Sequence, residues 1–167
     1  MRFAADSSAV VRLYLNADHA GPLERFLADG AKVLAVSELA RVEVLNVLVR
    51  SDVLGAADKF EQDLSEGLRL RLETVDWQET FQQAESLARR FSRILKPDGH
   101  DLVLVAAAVT LGATWFLSFD SNSRQRPLAS AAGLQVWPPL SKDEKGLTRH
   151  ASRQTARLAQ RRLFAGP

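Results

Sequence analysis

The stretch Asp101–Asp120, DLVLVAAAVTLGATWFLSFD, decides the fold of this chain. The residues after the initial aspartate are apolar on every side of a helix, which predicts a helix buried in the middle of a domain. Gly112 ends that helix, and the following residues 114–119 predict a buried strand that Asp120 terminates. Buried helices that alternate with buried strands are typical of a parallel sheet covered by helices on both faces.

The same alternation extends to both ends of the chain. Short apolar runs predict further strands at residues 3–5, 32–36 and 134–137, while residues 68–72 fit either an edge strand or the end of a helix. Helices are predicted after Ser7 or Ser8, from Ser37 to about residue 50, at 56–66, from Asp76 and at 128–132. We therefore expect a three-layer α/β/α sandwich with a mainly parallel sheet, formed by residues 1–140.

Composition limits the class of protein. The chain has 167 residues, about one domain, with 46% hydrophobic and 25% charged residues. It has no cysteine, which excludes disulfides, thiolate metal sites and cysteine nucleophiles. The N-terminus carries a charge where a signal peptide needs apolar residues, and the longest apolar run, 102–109, is too short to cross a bilayer. We expect a cytoplasmic protein without a membrane segment.

Charge is unevenly distributed along the chain. Residues 141–167 contain seven Lys or Arg against two acidic residues, whereas the preceding part contains 15 basic and 18 acidic residues. On a helix, one basic stripe would form from the arginines that recur every four residues: Arg149, Arg153, Arg157 and Arg161. This basic C-terminal extension fits a contact with nucleic acid or an acidic partner, and it fits a solvated arm equally well.

Four carboxylates occupy positions that folding alone does not favour. Asp6 and Asp120 each end a predicted strand, Asp101 opens the buried helix, and Glu43 lies among apolar residues of another helix. Each has a simple structural explanation, such as a helix cap or a turn, but an unpaired buried carboxylate costs several kcal/mol. The four together suggest a cation between them, and Mg²⁺ and Mn²⁺ are the ions that carboxylates prefer.

These segments also carry a family resemblance. The strand ending in Asp6-Ser7-Ser8, the segment Ser37–Glu43, the helix that begins at His100-Asp101 and the run Leu117-Ser118-Phe119-Asp120 resemble the motifs of PIN-domain nucleases. Within that family the chain is similar to the small toxins of VapBC-type toxin–antitoxin pairs, over about residues 1–137. The family's metal-binding acids correspond to Asp6, Glu43, Asp101 and Asp120.

The resemblance implies a Mg²⁺- or Mn²⁺-dependent endoribonuclease that acts as the toxin of such a pair. It implies RNA as substrate, a cognate antitoxin as partner and a homodimer. Supporting roles are expected for Ser7 or Ser8 near the first acid, for Asn46 as a hydrogen-bond partner of Glu43, and for Ser118 where many relatives carry Thr. Arg124 and Arg126, just past Asp120, are expected to contact RNA phosphates.

Other functions compete with this one. A PIN nuclease of RNA processing or turnover would need no antitoxin, and a PIN fold can be a non-catalytic binding module, although all four acids are retained here. A haloacid-type phosphatase would need an aspartate where Ser8 stands, and the chain lacks the nucleophile elbow of serine hydrolases and the glycine motifs of nucleotide-binding folds. A small antitoxin reading frame beside this gene would favour the toxin.

Overall fold

A parallel sheet forms the centre of the computed structural model. The model describes residues 1–15, 17–30 and 32–164, without the side chains of residues 17–20 and 158–164. In this part of the chain, five strands pair in the order β3-β2-β1-β4-β5, and every pairing is parallel. The strands are β1 (Phe3–Ala5), β2 (Leu34–Ser37), β3 (Leu70–Glu73), β4 (Trp115–Leu117) and β5 (Gln135–Trp137).

Eight helices of the described chain cover the two faces of this sheet. The first layer contains α1 (Ser7–Leu15), α2 (Ala17–Ala28), α3 (Glu38–Arg50) and α4 (Ala56–Glu66). The second contains α5 (Trp77–Leu95), α6 (Gly99–Thr110), α7 (Gln125–Ala131) and α8 (Lys142–Phe164). Neighbouring strand residues divide between the layers: Phe3 and Ala5 pack with the first group and Ala4 with the second, as side chains that alternate along a strand must. The predicted α/β/α sandwich is confirmed.

The starts and ends of the elements show which local signals determined them. Ser37 caps α3 as predicted, because its hydroxyl accepts from the backbone N–H of Ala40 at 3.3 Å. The predicted cap of α1 by Ser7 or Ser8 was wrong: the carboxylate of Asp6 accepts the N–H of Ala9 at 2.9 Å instead. The ambiguous residues 68–72 contain β3, an edge strand.

The C-terminal extension packs against the second layer. In α8, Ala151 is fully buried, and the hydroxyl of Thr155 lies 3.4 Å from the carbonyl oxygen of Arg90 on α5. Three arginines of the basic stripe (Arg149, Arg153 and Arg157) are exposed, and the side chain of Arg161 lies outside the described residues. No helix in the described ranges is long and apolar enough to cross a membrane.

The strand order determines where a site can form. β1 lies between β2 and β4, so the chain leaves this central strand on one side for β2 and reaches its other side only later, through β4. In parallel sheets the crevice at such a switch point, beyond the carboxyl ends of the strands, is where ligands bind. Asp6 follows β1 directly, and Ser118 follows β4.

Candidate active site at the carboxyl edge of the sheet

Asp6 is a buried carboxylate that accepts several hydrogen bonds. Only 1% of the residue is exposed. The Ser8 hydroxyl lies 2.8 Å from Oδ1 and 3.0 Å from Oδ2, and the side-chain amide of Gln125 donates to Oδ2 at 2.7 Å. Burial raises the pKa of Asp6 to about 6, although these donors act in the opposite direction. The site therefore holds a carboxyl group whose charge the protein compensates only in part.

Ser8 also joins the ends of the two central strands. While its hydroxyl donates to Asp6 after β1, its oxygen accepts the backbone N–H of Phe119 at 2.8 Å, just after β4. The backbone N–H of Asp6 donates to the carbonyl oxygen of Leu117 at 3.0 Å in the same region. Ser8 thus holds Asp6 in a fixed position relative to the loop that follows β4.

Asp101 lies in the first turn of α6, where the helix dipole favours negative charge. Its Oδ2 accepts the backbone N–H groups of Asp98 at 3.2 Å and of Arg124 at 3.1 Å, and only 4% of the residue is exposed. Burial raises the pKa of Asp101, the charge of Asp98 adds to the rise, and the two N–H donors oppose it. Asp98 also caps the helix by accepting the N–H of Asp101 at 2.7 Å.

Glu43 on α3 carries an oxygen atom without a partner. Its Oε1 lies 2.8 Å from Nε2 of His100, but its Oε2 is buried and has no hydrogen-bond partner in the described structure. Burial raises the pKa of Glu43, while His100 and the Ser7 hydroxyl act to lower it. A buried acceptor left unpaired costs about 1–3 kcal/mol, so a ligand that bonds this oxygen would be favoured.

The neighbours of these acids show that they face one another. Ser7, which follows Asp6, and His100, which precedes Asp101, both contact Glu43. The consecutive residues 124 and 125 at the start of α7 donate to Asp101 and to Asp6, respectively. These contacts place Asp6, Glu43 and Asp101 in one region, at the switch point of the sheet.

Asp120 has a different environment. It is half-buried, and its Oδ1 accepts the backbone N–H groups of Asn122 at 2.9 Å and Ser123 at 3.1 Å. Its own N–H donates to the hydroxyl of Ser118 at 3.2 Å, and Ser118 is fully buried next to Asp6. In this arrangement Asp120 shapes the turn that leads to α7, and Ser118 supports both that turn and the first acid.

The donor set suits a hard divalent cation, since it consists of carboxylate oxygens that are desolvated and incompletely compensated. Among the described residues, however, no three Asp, Glu or His side chains are placed to hold a metal ion as they stand. Protein groups contact each acid: Gln125 donates to Asp6, and His100 contacts Glu43. Without a cation, the negative charges of the carboxylates also repel one another. A shared cation site of all four acids stays a prediction.

Two further predicted residues have clear positions. The prediction that Arg126 contacts RNA was wrong: the residue is 5% exposed, donates to Glu144 at 2.7 Å, and also donates to the carbonyl oxygen of Ser118. Its guanidinium anchors α8 to the end of β4. Arg124 is exposed beside Asp101 and remains available to a ligand.

Asn46 and Gln125 differ from expectation in opposite ways. Asn46 is exposed, and no hydrogen bond joins it to Glu43 in the part of the chain that the structure describes. Gln125, which was not predicted as a site residue, is 4% exposed and bonds Asp6 directly. Its surroundings, Ser-Asn-Ser-Arg-Gln-Arg, are polar enough to be typical of a surface loop, so the sequence contained no signal for this contact.

The comparisons with known proteins agree with this architecture. A family model of the PIN domain matches residues 4–127. No curated protein sequence matches the chain. Among solved structures, VapC20 of Mycobacterium tuberculosis, a toxin that cleaves the sarcin-ricin loop, is similar over 79% of this chain and 95% of its own, with a TM-score of 0.58 and 22% identity.

Two further solved structures give comparable results. DNA-bound VapBC from Salmonella typhimurium is similar over 81% of this chain and 96% of that chain, with a TM-score of 0.57 and 15% identity. FitAcB from Neisseria gonorrhoeae is similar over 82% of this chain and 97% of that chain, with a TM-score of 0.56 and 12% identity. At these identities the likenesses establish the fold and no more.

Proposed function

The chain belongs to the PIN domain family, and from that premise we propose that it is a Mg²⁺- or Mn²⁺-dependent endoribonuclease, the toxin of a toxin–antitoxin pair. The observation that carries the proposal is the unpaired buried oxygen of Glu43 beside two desolvated aspartates, Asp6 and Asp101. A structural acid is normally satisfied by its own hydrogen bonds. A buried carboxylate oxygen that no protein group satisfies is free to bind a cation.

Asp6, Glu43 and Asp101 would hold the cation, with Asp120 adjacent or acting through water. A bound divalent cation there would lower the pKa of a water molecule and stabilise negative charge on the scissile phosphate. The polypeptide itself provides the orientation: Ser8 fixes Asp6, and the N–H of Arg124 fixes Asp101. Arg124, which is exposed, would contact an RNA phosphate next to the acids.

An antitoxin and a second copy of the chain are the proposed protein partners, and RNA in the cytoplasm is the proposed substrate. One of the similar structures is of a VapBC pair, which supports an antitoxin here. On this chain, α3 and the loop after it expose large apolar side chains: Val42 at 64%, Val49 at 70% and Val53 at 47%. We propose this exposed apolar surface as a protein interface.

A cleavage assay on total RNA tests the proposal. Wild-type protein should cut RNA in the presence of Mg²⁺ or Mn²⁺ and not in EDTA, and Asp101→Asn should be inactive. Asp63→Asn is the matched control, because Asp63 is a buried aspartate on α4 whose partners are Tyr14 and Lys59. Cleavage by Asp101→Asn at the wild-type rate would contradict the proposal.

The toxin role is tested separately from the nuclease activity. Expression of the wild-type chain in a bacterial host should arrest growth, and the product of a neighbouring small gene should relieve the arrest. RNA cleavage without growth arrest would instead favour the alternative, a PIN nuclease of RNA processing or turnover.

A further inference from the structure

Gln125 carries a second unpaired atom inside the site. Its Nε2 donates to Oδ2 of Asp6 at 2.7 Å, whereas its Oε1 is buried and has no hydrogen-bond partner in the described structure. The residue lies at the first position of α7 and is 4% exposed, so water does not compensate this oxygen freely. A lost hydrogen bond of this kind costs about 1–3 kcal/mol.

A purely structural role does not explain this arrangement. A donor for Asp6 could be provided by a side chain without an additional acceptor, and the backbone N–H of Ala9 and the hydroxyl of Ser8 already bond the same carboxylate. An amide oxygen is, however, a good ligand for a hard cation. Because the amide is planar, rotation about its last bond exchanges the nitrogen and oxygen atoms in nearly the same space.

We propose that Gln125 is a ligand of the divalent cation, directly or through one bound water. Without metal its N–H partly compensates the charge of Asp6. With metal the amide turns, and its oxygen joins the carboxylates around the ion. This inference rests on the proposed function, and it accounts for the unpaired oxygen of Gln125.

Titration of RNA-free protein with Mn²⁺ tests the role of Gln125. Gln125→Met keeps the volume of the side chain but removes both polar atoms, and it should weaken Mn²⁺ binding about 10–100-fold, the usual cost of removing a group that supports a metal site. Gln125→Glu keeps an oxygen in place and should bind Mn²⁺ at least as tightly as wild type. Gln135→Glu, with the same change in charge on an exposed residue at the start of β5, is the control and should leave binding unchanged.

A structural hydrogen bond predicts the opposite result. If Gln125 only donates to Asp6, Gln125→Glu loses that donor just as Gln125→Met does, so Gln125→Glu would bind Mn²⁺ more weakly than wild type. That outcome overturns the inference and leaves the proposed nuclease intact. Absence of Mn²⁺ binding by the wild-type protein would overturn both. Thermal melts without metal establish that each variant is folded before it is titrated.

Discussion

The substitution Asp6→Asn removes a buried charge, and its effect on the free energy of unfolding can be measured. Burial raises the pKa of Asp6 from 3.8 to about 6, and since a tenfold change in proton affinity corresponds to about 1.4 kcal/mol, ionised Asp6 costs the metal-free protein about 3 kcal/mol. Asparagine has nearly the same shape and no charge. Its oxygen can accept from Ser8 and Ala9, and its amide can donate to the unpaired oxygen of Gln125.

The gain in stability should depend on pH with a definite sign. The folded protein binds the Asp6 proton more tightly than the unfolded chain, so the charge penalty is complete above a pH of about 6 and disappears as the pH falls towards 3.8. Asp6→Asn should therefore be more stable than wild type at neutral pH, and this difference should shrink on acidification. For a chain of this size, about 3 kcal/mol corresponds to a rise of about 6–12 °C in the melting temperature.

Thermal and urea melts in EDTA, for both proteins over this pH range, measure the effect. The same preparations should show that Asp6→Asn has lost RNA cleavage. A variant that is less stable than wild type at neutral pH would refute the reasoning, because it would mean that the hydrogen bonds of Asp6 outweigh the cost of its charge. A stability difference that does not change with pH would refute the burial of that charge.

Other substitutions separate the site from the scaffold. Asp101→Asn should abolish cleavage, leave metal-free stability unchanged or higher, and reduce the rise in melting temperature that Mn²⁺ causes in wild type. Burial alone would raise the pKa of Asp63, but Lys59 and the Tyr14 hydroxyl lower it below the usual value of 3.8. The ionised Asp63 therefore stabilises the fold above pH 3.8, and this stabilisation is lost as the pH falls through the lowered pKa. Asp63→Asn should thus cost about 1–3 kcal/mol in neutral urea melts and retain cleavage. Arg126→Met should cost about 1–3 kcal/mol, since it leaves the half-buried carboxylate of Glu144 on α8 without its counterion.

The basic stripe of α8 gives a further prediction. Removing residues 141–167 would also uncover the second helical layer, so the exposed arginines are better tested alone, by Arg149→Glu with Arg153→Glu. If the stripe contacts RNA phosphates, this double variant should bind RNA more weakly, with a flatter dependence on salt and an unchanged melting temperature. Equal RNA binding at several salt concentrations would reject the contact.

The hydrophobic periodicity of the sequence was sufficient to predict the parallel sheet and the helical layers on its two faces. Apolar runs separated by helices predict a parallel sheet, and that topology brings carboxylates after strand ends to one edge, as Asp6 after β1 and Asp120 after β4 show. Boundaries and partners depend on tertiary packing. Phe81, for example, continues the apolar pattern of α5 but is 55% exposed, because Thr80 next to it is the residue that is buried.

The polar contacts were the least predictable part. Arg126 and Gln125 lie in one polar segment, yet both are buried, and their partners are 18 residues after and 119 residues before them in the chain. No local pattern distinguishes an arginine that anchors a helix from an arginine that binds RNA. The structure does, because Glu144 and the end of β4 occupy the guanidinium of Arg126 on its buried side.

The dependence of RNA cleavage on Mn²⁺ concentration, measured beside Mn²⁺ binding to the same protein, tests the central claim most directly. If Asp6, Glu43 and Asp101 hold the catalytic cation, cleavage should be absent in EDTA and should rise with the same midpoint as Mn²⁺ binding, and both should be lost in Asp101→Asn. Cleavage in EDTA, or cleavage that Asp101→Asn retains, would contradict the assignment of these acids as the metal site.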